Sequence, residues 1–289
     1  MQIVTDSGTD LRLPAGEVEG LNIHTVPLVV TLDGKSYREG IDIKHSEFYP
    51  LLEASENLPI TSQPSAGEFA DLYRKLAATD PDILSIHMTS GLSGTYNSAL
   101  AGAEMVPEAN VTHIDTKTLT AAAGWQVEAA ARALKAGWAK DQILALVKKV
   151  GDATDCMYSL SELKYLIHGG RISHMRGVIA SLLNIKPLIG VEKIKGTYVQ
   201  LGQVRTFKKA LAGMANLIAK QHAAGSALRV QVLHSNNPEG ANMLSEMVDQ
   251  LFDCTWLPVG PMSLVLGAHT GSSMVGVAFA PASVFADIP

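Results

Sequence analysis

The sequence predicts an α/β fold of two α/β domains, the first with a mostly parallel, doubly wound sheet. Three observations carry this. Short apolar runs alternate with amphipathic helical patterns from the first residues to about residue 150, the order expected of strand–helix–strand units. One of those runs, Asp82–Ile86, is continuous rather than alternating, as in a strand buried on both faces. Near Gly151 the texture changes to hairpin-like strands and glycine turns. A boundary there divides the chain into residues 1–155 and 156–289.

Taken in order, Gln2–Thr5 reads as the first strand. Asp6-Ser7-Gly8-Thr9-Asp10 reads as a polar turn, in which Asx-turn chemistry competes with a phosphate or metal role. Asn22–Leu32 reads as one long apolar strand region, and Asp33-Gly34 as a hairpin signal. Ser46–Leu52 suggests a short helix, where Pro50 is tolerable only in the first turn. Leu58–Ser65 shows no apolar period and reads as a loop. Ser65-Ala66-Gly67-Glu68 matches a capping box, and Phe69, Leu72, Tyr73 and Leu76 continue at helical spacing.

The stretch from Ser85 to Ala99 is the centre of the chain. A buried strand ends in a loop of hydroxyls and glycines, and a helix over Tyr96–Met105 follows. Open α/β sheets bind ligands where a strand runs into a helix N-terminus in this way. The free amides and the dipole there favour an anion. Thr89, Ser90, Ser93 and Thr95 add hydroxyls suited to a carboxylate or phosphate. An N-cap by Ser93 or Thr95 uses the same residues without a ligand. Thr61 and Ser62, just ahead of another helix, repeat this chemistry.

Val111–Asp115 reads as a strand, Leu119–Lys135 as a helix closed by Gly137, and Asp141–Val150 as a further helix. The second half begins with a strand at Cys156–Leu160 and a short helix to Ile167. A glycine turn carrying Arg171 and a helix over Arg176–Asn184 follow. Lys186–Val191 and Gly196–Leu201 read as hairpin strands. Helices over Thr206–His222 and Pro238–Leu251 alternate with strands at Leu228–Leu233 and Thr255–Val259. The chain closes with a loop, Leu266–Gly271, and a strand, Met274–Phe279.

Composition narrows the function. A net charge of −5 over 289 residues opposes general nucleic-acid binding, which needs a basic footprint. Two distant cysteines, Cys156 and Cys254, form no ligand motif and read as core thiols of a reduced, cytoplasmic protein. The first residues read as a strand, not a leader. The uncharged stretch from Cys254 to Ala286 is broken by glycines and prolines, so it is not read as a membrane anchor.

Three chemistries bear on these residues. Gly91-Leu92-Ser93-Gly94-Thr95 has the first glycine of a nucleophile elbow, but Thr95 replaces the second. A serine hydrolase using Ser93 and His269 is therefore the alternative reading, with Asp249 or Asp253 to orient the histidine. Nine histidines show no metalloprotease spacing. His87 and His113 lie in strands and read as core imidazoles. His269, flanked by Gly267 and Gly271, is either a core residue or faces a ligand. No nucleotide-binding glycine pattern is present.

Five motifs stand in one order: Thr5-Asp6-Ser7, Thr61-Ser62-Gln63-Pro64-Ser65, Ser90-Gly91-Leu92-Ser93-Gly94-Thr95-Tyr96, Gly169-Gly170-Arg171-Ile172-Ser173 and Gly267-Ala268-His269-Thr270-Gly271. Together they resemble the DegV family over nearly the whole chain. Its best characterised members are the fatty-acid-binding subunits of bacterial fatty acid kinase, which serve phospholipid synthesis. The resemblance implies a long-chain fatty acid buried between the two domains, with its carboxylate on Thr61, Ser93 and His269 and the Gly94 amide as a further contact. It implies no cofactor, no metal and no catalysis by the chain itself. It also implies a separate kinase subunit as partner, with Arg205 as the docking residue, and transient contact with a membrane surface.

A buried carboxylate needs several donors, and an acyl tail supplies about 0.8 kcal/mol per buried methylene. From Ser161 to Ala210 nine basic residues face only Glu162 and Glu192, a net +7 in an acidic chain. That asymmetry suits steering toward an acidic surface or a phosphate group, or simply solvated faces.

Overall fold

A computed structural model describes every residue except 15, 18, 19 and 173–184. The helix expected over Arg176–Asn184 lies outside the described residues.

In the first half, β1 (Gln2–Asp6) leads into a single 3₁₀ turn at Ser7–Thr9. Then come β2 (Ile23–Val26), β3 (Val29–Leu32), β4 (Lys35–Arg38), α1 (His45–Ala54), β5 (Ile60–Ser62) and α2 (Ala66–Ala77). β6 (Asp82–His87), α3 (Thr95–Glu104), β7 (Asn110–Asp115), α4 (Thr120–Lys135) and α5 (Lys140–Ala153) complete it. Four strands form one parallel sheet in the order β2-β1-β6-β7. Phe69 and Tyr73 of α2 pack with Val4 and Ile83 on one face. Ala122, Trp125 and Ala129 of α4 pack with Ile3, Leu84 and Ile86 on the other. The sheet is thus doubly wound. β4, β3 and β5 form a separate antiparallel sheet.

Local chemistry explains the boundaries, including three that differ from expectation. The expected strand over Asn22–Leu32 is two strands in different sheets, separated at Pro27, which has no N–H to give a ladder. The expected loop over Leu58–Ser65 contains β5, whose three residues pair with β3 but are too few to show alternation. Pro50 is the sixth residue of α1, beyond the first turn. Pro50 and Ser46 are both exposed, so water can serve the Ser46 carbonyl that lacks its usual donor. Asp33 and Gly34 make the expected turn with φ of 49° and 74°. At the start of α2 the Ser65 hydroxyl accepts from Glu68 N at 3.2 Å, and the Glu68 carboxylate accepts from Ser65 N at 2.8 Å.

The second half holds β8 (Asp155–Ser159), α6 (Lys164–His168), β9 (Lys186–Val191), β10 (Tyr198–Val204) and α7 (Phe207–Gln221). It continues through β11 (Ala227–His234), α8 (Pro238–Asp249), β12 (Asp253–Trp256), β13 (Gly260–Pro261), α9 (Leu264–Thr270) and β14 (Val275–Pro281). The seven strands form one sheet in the order β10-β9-β8-β14-β11-β12, with β13 beside β11. Leu211 and Met214 of α7 and Leu244 of α8 cover one face, against Val230, Val275 and Val277. The opposite face belongs to the core of the first half. Leu233, Met274, Ala278 and Ala280 join the same cluster as Ala122 and Trp125.

The segment around His269, expected as a loop, is the helix α9. All seven of its residues are buried, and a helix that is apolar on every side carries no amphipathic period to betray it. Cys156 and Cys254 are free and partly buried rather than fully so. Among the described residues no helix is long and apolar enough to cross a membrane.

Candidate functional site

The loop after β6 is held from beneath. The buried Asp6 carboxylate accepts from Gly8 N and Met88 N, each at 3.0 Å, and lies 2.9 Å from His87 Nδ1. The Asp6–Gly8 bond is the Asx-type turn anticipated for this stretch. His87 Nε2 is 2.7 Å from Ser85 Oγ, which is 2.7 Å from Tyr73 OH. This chain places an Asp, a His and a Ser in a triad-like line, but all three are fully enclosed. No substrate can reach it, and His87 is a satisfied core imidazole.

Above this base the loop turns on itself. Ser93 N donates to Thr89 O at 3.2 Å. Ser93 Oγ lies 2.8 Å from Thr95 Oγ1 and accepts from Thr95 N at 3.3 Å. The N-cap of α3 is Gly94, with no side-chain cap bond. Gly94 is overlaid by the Gln63 side chain, whose Nε2 would stand 2.8 Å from a Cβ there. Among the described residues the Gly94 amide has no acceptor.

Thr61 comes from β5 and His269 from α9, and Thr61 Oγ1 lies 2.8 Å from His269 Nε2. The other imidazole edge rests on Gly169, where a Cβ would stand 2.0 Å from Nδ1. Arg171 bridges the neighbouring loops, donating to Gly169 O at 2.6 Å and to Leu92 O at 3.3 Å. Burial, aided by the charges of Arg171 and His168, pushes the His269 imidazole down to about 4. It is therefore neutral near pH 7.

Thr61, Ser93 and His269 line one cavity of ≈ 30 Å³, together with Gln63, Leu92 and Arg171. A second, apolar cavity of ≈ 40 Å³ shares Leu119, Tyr198 and Leu266 with the first. The polar pocket thus adjoins apolar space between the seven-stranded sheet, the start of α4 and α9. That space exists because β14 turns Gly276 and Ala278 toward the first half, where larger residues would fill it. Met157, Met262 and Met274 also line it, and methionine side chains adapt readily to an irregular guest.

The structure therefore brings Thr61, Ser93 and His269 together, with Gly94 adjacent to Ser93. Arg205 is not among them; it lies exposed just beyond β10. The sequence alone assigns no site role to Arg171 or Gly169, although both stand in the Gly169–Ser173 motif. Their part depends on a tertiary approach that no spacing encodes.

The hydrolase alternative finds no support. Among the described residues no carboxylate bonds to His269. Asp249 accepts from Trp256 Nε1 at 2.9 Å, and Asp253 is exposed at the start of β12. Ser93 Oγ pairs with Thr95 rather than with the imidazole. Among the described residues no group of three or more His, Cys, Asp or Glu is placed to hold a metal ion.

Residues 1–282 match the family described as "Uncharacterised protein, DegV family". A DegV domain-containing protein of Listeria innocua is 33% identical over 276 residues, spanning 95% of this chain and 96% of its own. The chain belongs to the DegV family. Among solved structures, this DegV protein is similar to one from Thermus thermophilus reported for its fatty acid binding. The TM-score is 0.87 and the identity 28%, over 97% of this chain and 99% of that one. It is also similar to DegV from Bacillus subtilis, described as a fatty acid binding protein. There the TM-score is 0.85 and the identity 29%, over 97% and 98% of the two chains.

Proposed function

We propose that this DegV protein is a carrier that buries a long-chain fatty acid and presents its carboxylate to a partner kinase, itself catalysing nothing. The observation that carries the reading is the junction of two cavities. One is lined by two hydroxyls and an imidazole, with Thr61 and His269 2.8 Å apart, and the other is apolar. In this reading Thr61, Ser93 and His269 hold the carboxylate, the Gly94 amide adds a donor, and Arg171 supplies positive charge. The tail runs past Leu119, Tyr198 and Leu266 into the space beside β14. Each charge-assisted bond contributes about 1.5–3 kcal/mol. A tail of ~14 methylenes contributes roughly 11 kcal/mol before ordering costs, so the tail sets affinity and the head sets chemical class.

The two-domain division at 155/156 belongs to the same reading. Every strand of the parallel sheet precedes it, and the seven-stranded sheet begins with β8, whose first residue is Asp155. Kinase docking is the finer part. Of the basic residues between Ser161 and Ala210, Lys164 pairs with Glu162, Lys193 with Asp155, and Lys186 donates to Ser161 O. Arg205, Lys208 and Lys209 stay exposed at the first turn of α7, which has no acidic residue. Cations there oppose the helix dipole, an arrangement that favours an acidic partner. Transient contact with a membrane surface, in the cytoplasm, would load the carrier.

Native mass spectrometry tests the core claim. The purified protein should carry mass in the long-chain fatty-acid range that organic extraction removes. A protein that is ligand-free as purified and gains no thermal stability from oleate overturns the reading. For docking, Arg205→Glu should abolish acyl-phosphate formation in a reconstituted kinase assay while oleate binding survives.

A further inference from the structure

His269 belongs to a seven-residue helix of the second half, yet its partner Thr61 belongs to the small sheet of the first. The 2.8 Å contact between them therefore depends on where α9 sits. Two carboxylates of the first half hold its start. Glu39, buried just after β4, accepts from Ser263 Oγ at 2.7 Å and from Leu264 N. It also accepts from Ser7 Oγ at 2.7 Å. Ser7 Oγ in turn accepts from Leu28 N at 3.0 Å, on the link between β2 and β3. Asp10, at φ 45°, accepts from Ser263 N at 2.6 Å and from Thr120 Oγ1 at 2.7 Å.

A single cap would suffice to satisfy a helix end. Two carboxylates converging on one residue cost stability instead. Desolvation raises both, Asp10 to about 8, with the charge of Glu39 adding to the rise at Asp10 and that of Asp6 to the rise at Glu39. Arg12 is the neighbouring cation, and it also faces His45 and His234. The geometry answers what this costly arrangement holds. His269 is five residues along from Leu264, so about 7.5 Å of rigid helix joins the anchor to the imidazole. A shift of about 1 Å at the anchor carries His269 with it and takes a 2.8 Å contact beyond hydrogen-bond range.

We propose that Glu39 and Asp10 are positioning residues for the head-group pocket: together they fix α9 against the first half and thereby set His269 against Thr61. The proposal rests on the fatty-acid reading for its effect on affinity, but not for its effect on the imidazole. Glu39→Ala, Glu39→Gln, Asp10→Ala and Ser7→Ala are compared with the unmodified protein. The readouts are the ¹H–¹⁵N signals of the His269 ring in ligand-free protein, oleate affinity and unfolding by denaturant. Glu39→Ala should move the His269 signals and weaken oleate binding about tenfold or more. Glu39→Gln, which keeps an acceptor of the same shape, should restore most of both.

Unmoved His269 signals and unchanged affinity in a folded Glu39→Ala protein overturn the proposal. Should that variant not fold, unmoved signals in both Asp10→Ala and Ser7→Ala overturn it equally. If the unmodified protein fails to bind oleate while these substitutions still move the His269 ring, the carrier reading falls and the positioning role stands.

Discussion

At the scale of single residues, the proposed head-group pocket combines groups with different duties. Ser93 Oγ lies 2.8 Å from Thr95 Oγ1 and accepts only a long bond, 3.3 Å, from the Thr95 N of α3. Ser93→Ala should therefore cost less stability than the ~1 kcal/mol of a true N-cap, yet weaken oleate binding roughly 10- to 100-fold. Calorimetric titration and denaturant unfolding on the same variant measure the two. His269 makes a pH prediction with a definite sign. Its ring is lowered to about 4 from an ordinary 6.5, so between those values the unfolded chain binds more protons than the folded one. The stabilisation it lends is complete above about 6.5 and lost as the pH falls through 4. A carboxylate bound beside it favours the charged ring. NMR titration should show the His269 midpoint rising on addition of oleate, and an unmoved midpoint would mean that imidazole and carboxylate do not meet. The hydroxyls and the histidine were legible in the sequence because each sits in a short motif of glycine and hydroxyl residues. Arg171 and Gly169 were not, because one acts through loop carbonyls and the other through the absence of a side chain.

Among the elements, the legible ones were those with a long period or a punctuating residue. The box at Ser65, the turn at Asp33-Gly34 and the alanine-rich α4 all appear where expected. β5 and α9, which carry Thr61 and His269, did not announce themselves. Three residues cannot display alternation, and a helix buried all round has no polar face to contrast with its apolar one. What fixes these two elements is contact: β5 through its pairing with β3, and α9 through close approaches such as Gly267, where a Cβ would stand 2.2 Å from Tyr49 OH. α6 ends in a similar approach at Gly169. Gly169→Ala should push the imidazole off Thr61, at a stability cost of about 1–3 kcal/mol for the overpacking. Oleate binding should fall far more than that loss explains. Retained binding would show that the ring position tolerates the added methyl group, and that α6 does not define the pocket wall.

For the whole molecule, the informative feature is the inner face of the seven-stranded sheet. It shares one core cluster with the doubly wound half, and the unfilled space lies within that shared core beside Gly276 and Ala278. Ala278→Val should fill part of it. The ligand-free protein is expected to keep or gain thermal stability, while affinity for oleate falls about tenfold and affinity for a short chain such as octanoate changes little. Equal losses for both chains would place the tail elsewhere. At a ligand concentration a hundred times its dissociation constant, binding stabilises the fold by about 2.7 kcal/mol, roughly 5 °C in melting temperature for a chain of this size. The division into halves drawn by sheet membership is consequently not a division in cooperativity, because neither half closes its core alone. If the guest completes that core, the empty form is the one that opens most often to proteases. The cellular lifetime of the chain would then follow its cargo, with the protein accumulating when acyl chains are plentiful and being cleared when they are scarce. Pulse–chase decay in cells with and without added oleate measures this, and equal half-lives would uncouple turnover from filling.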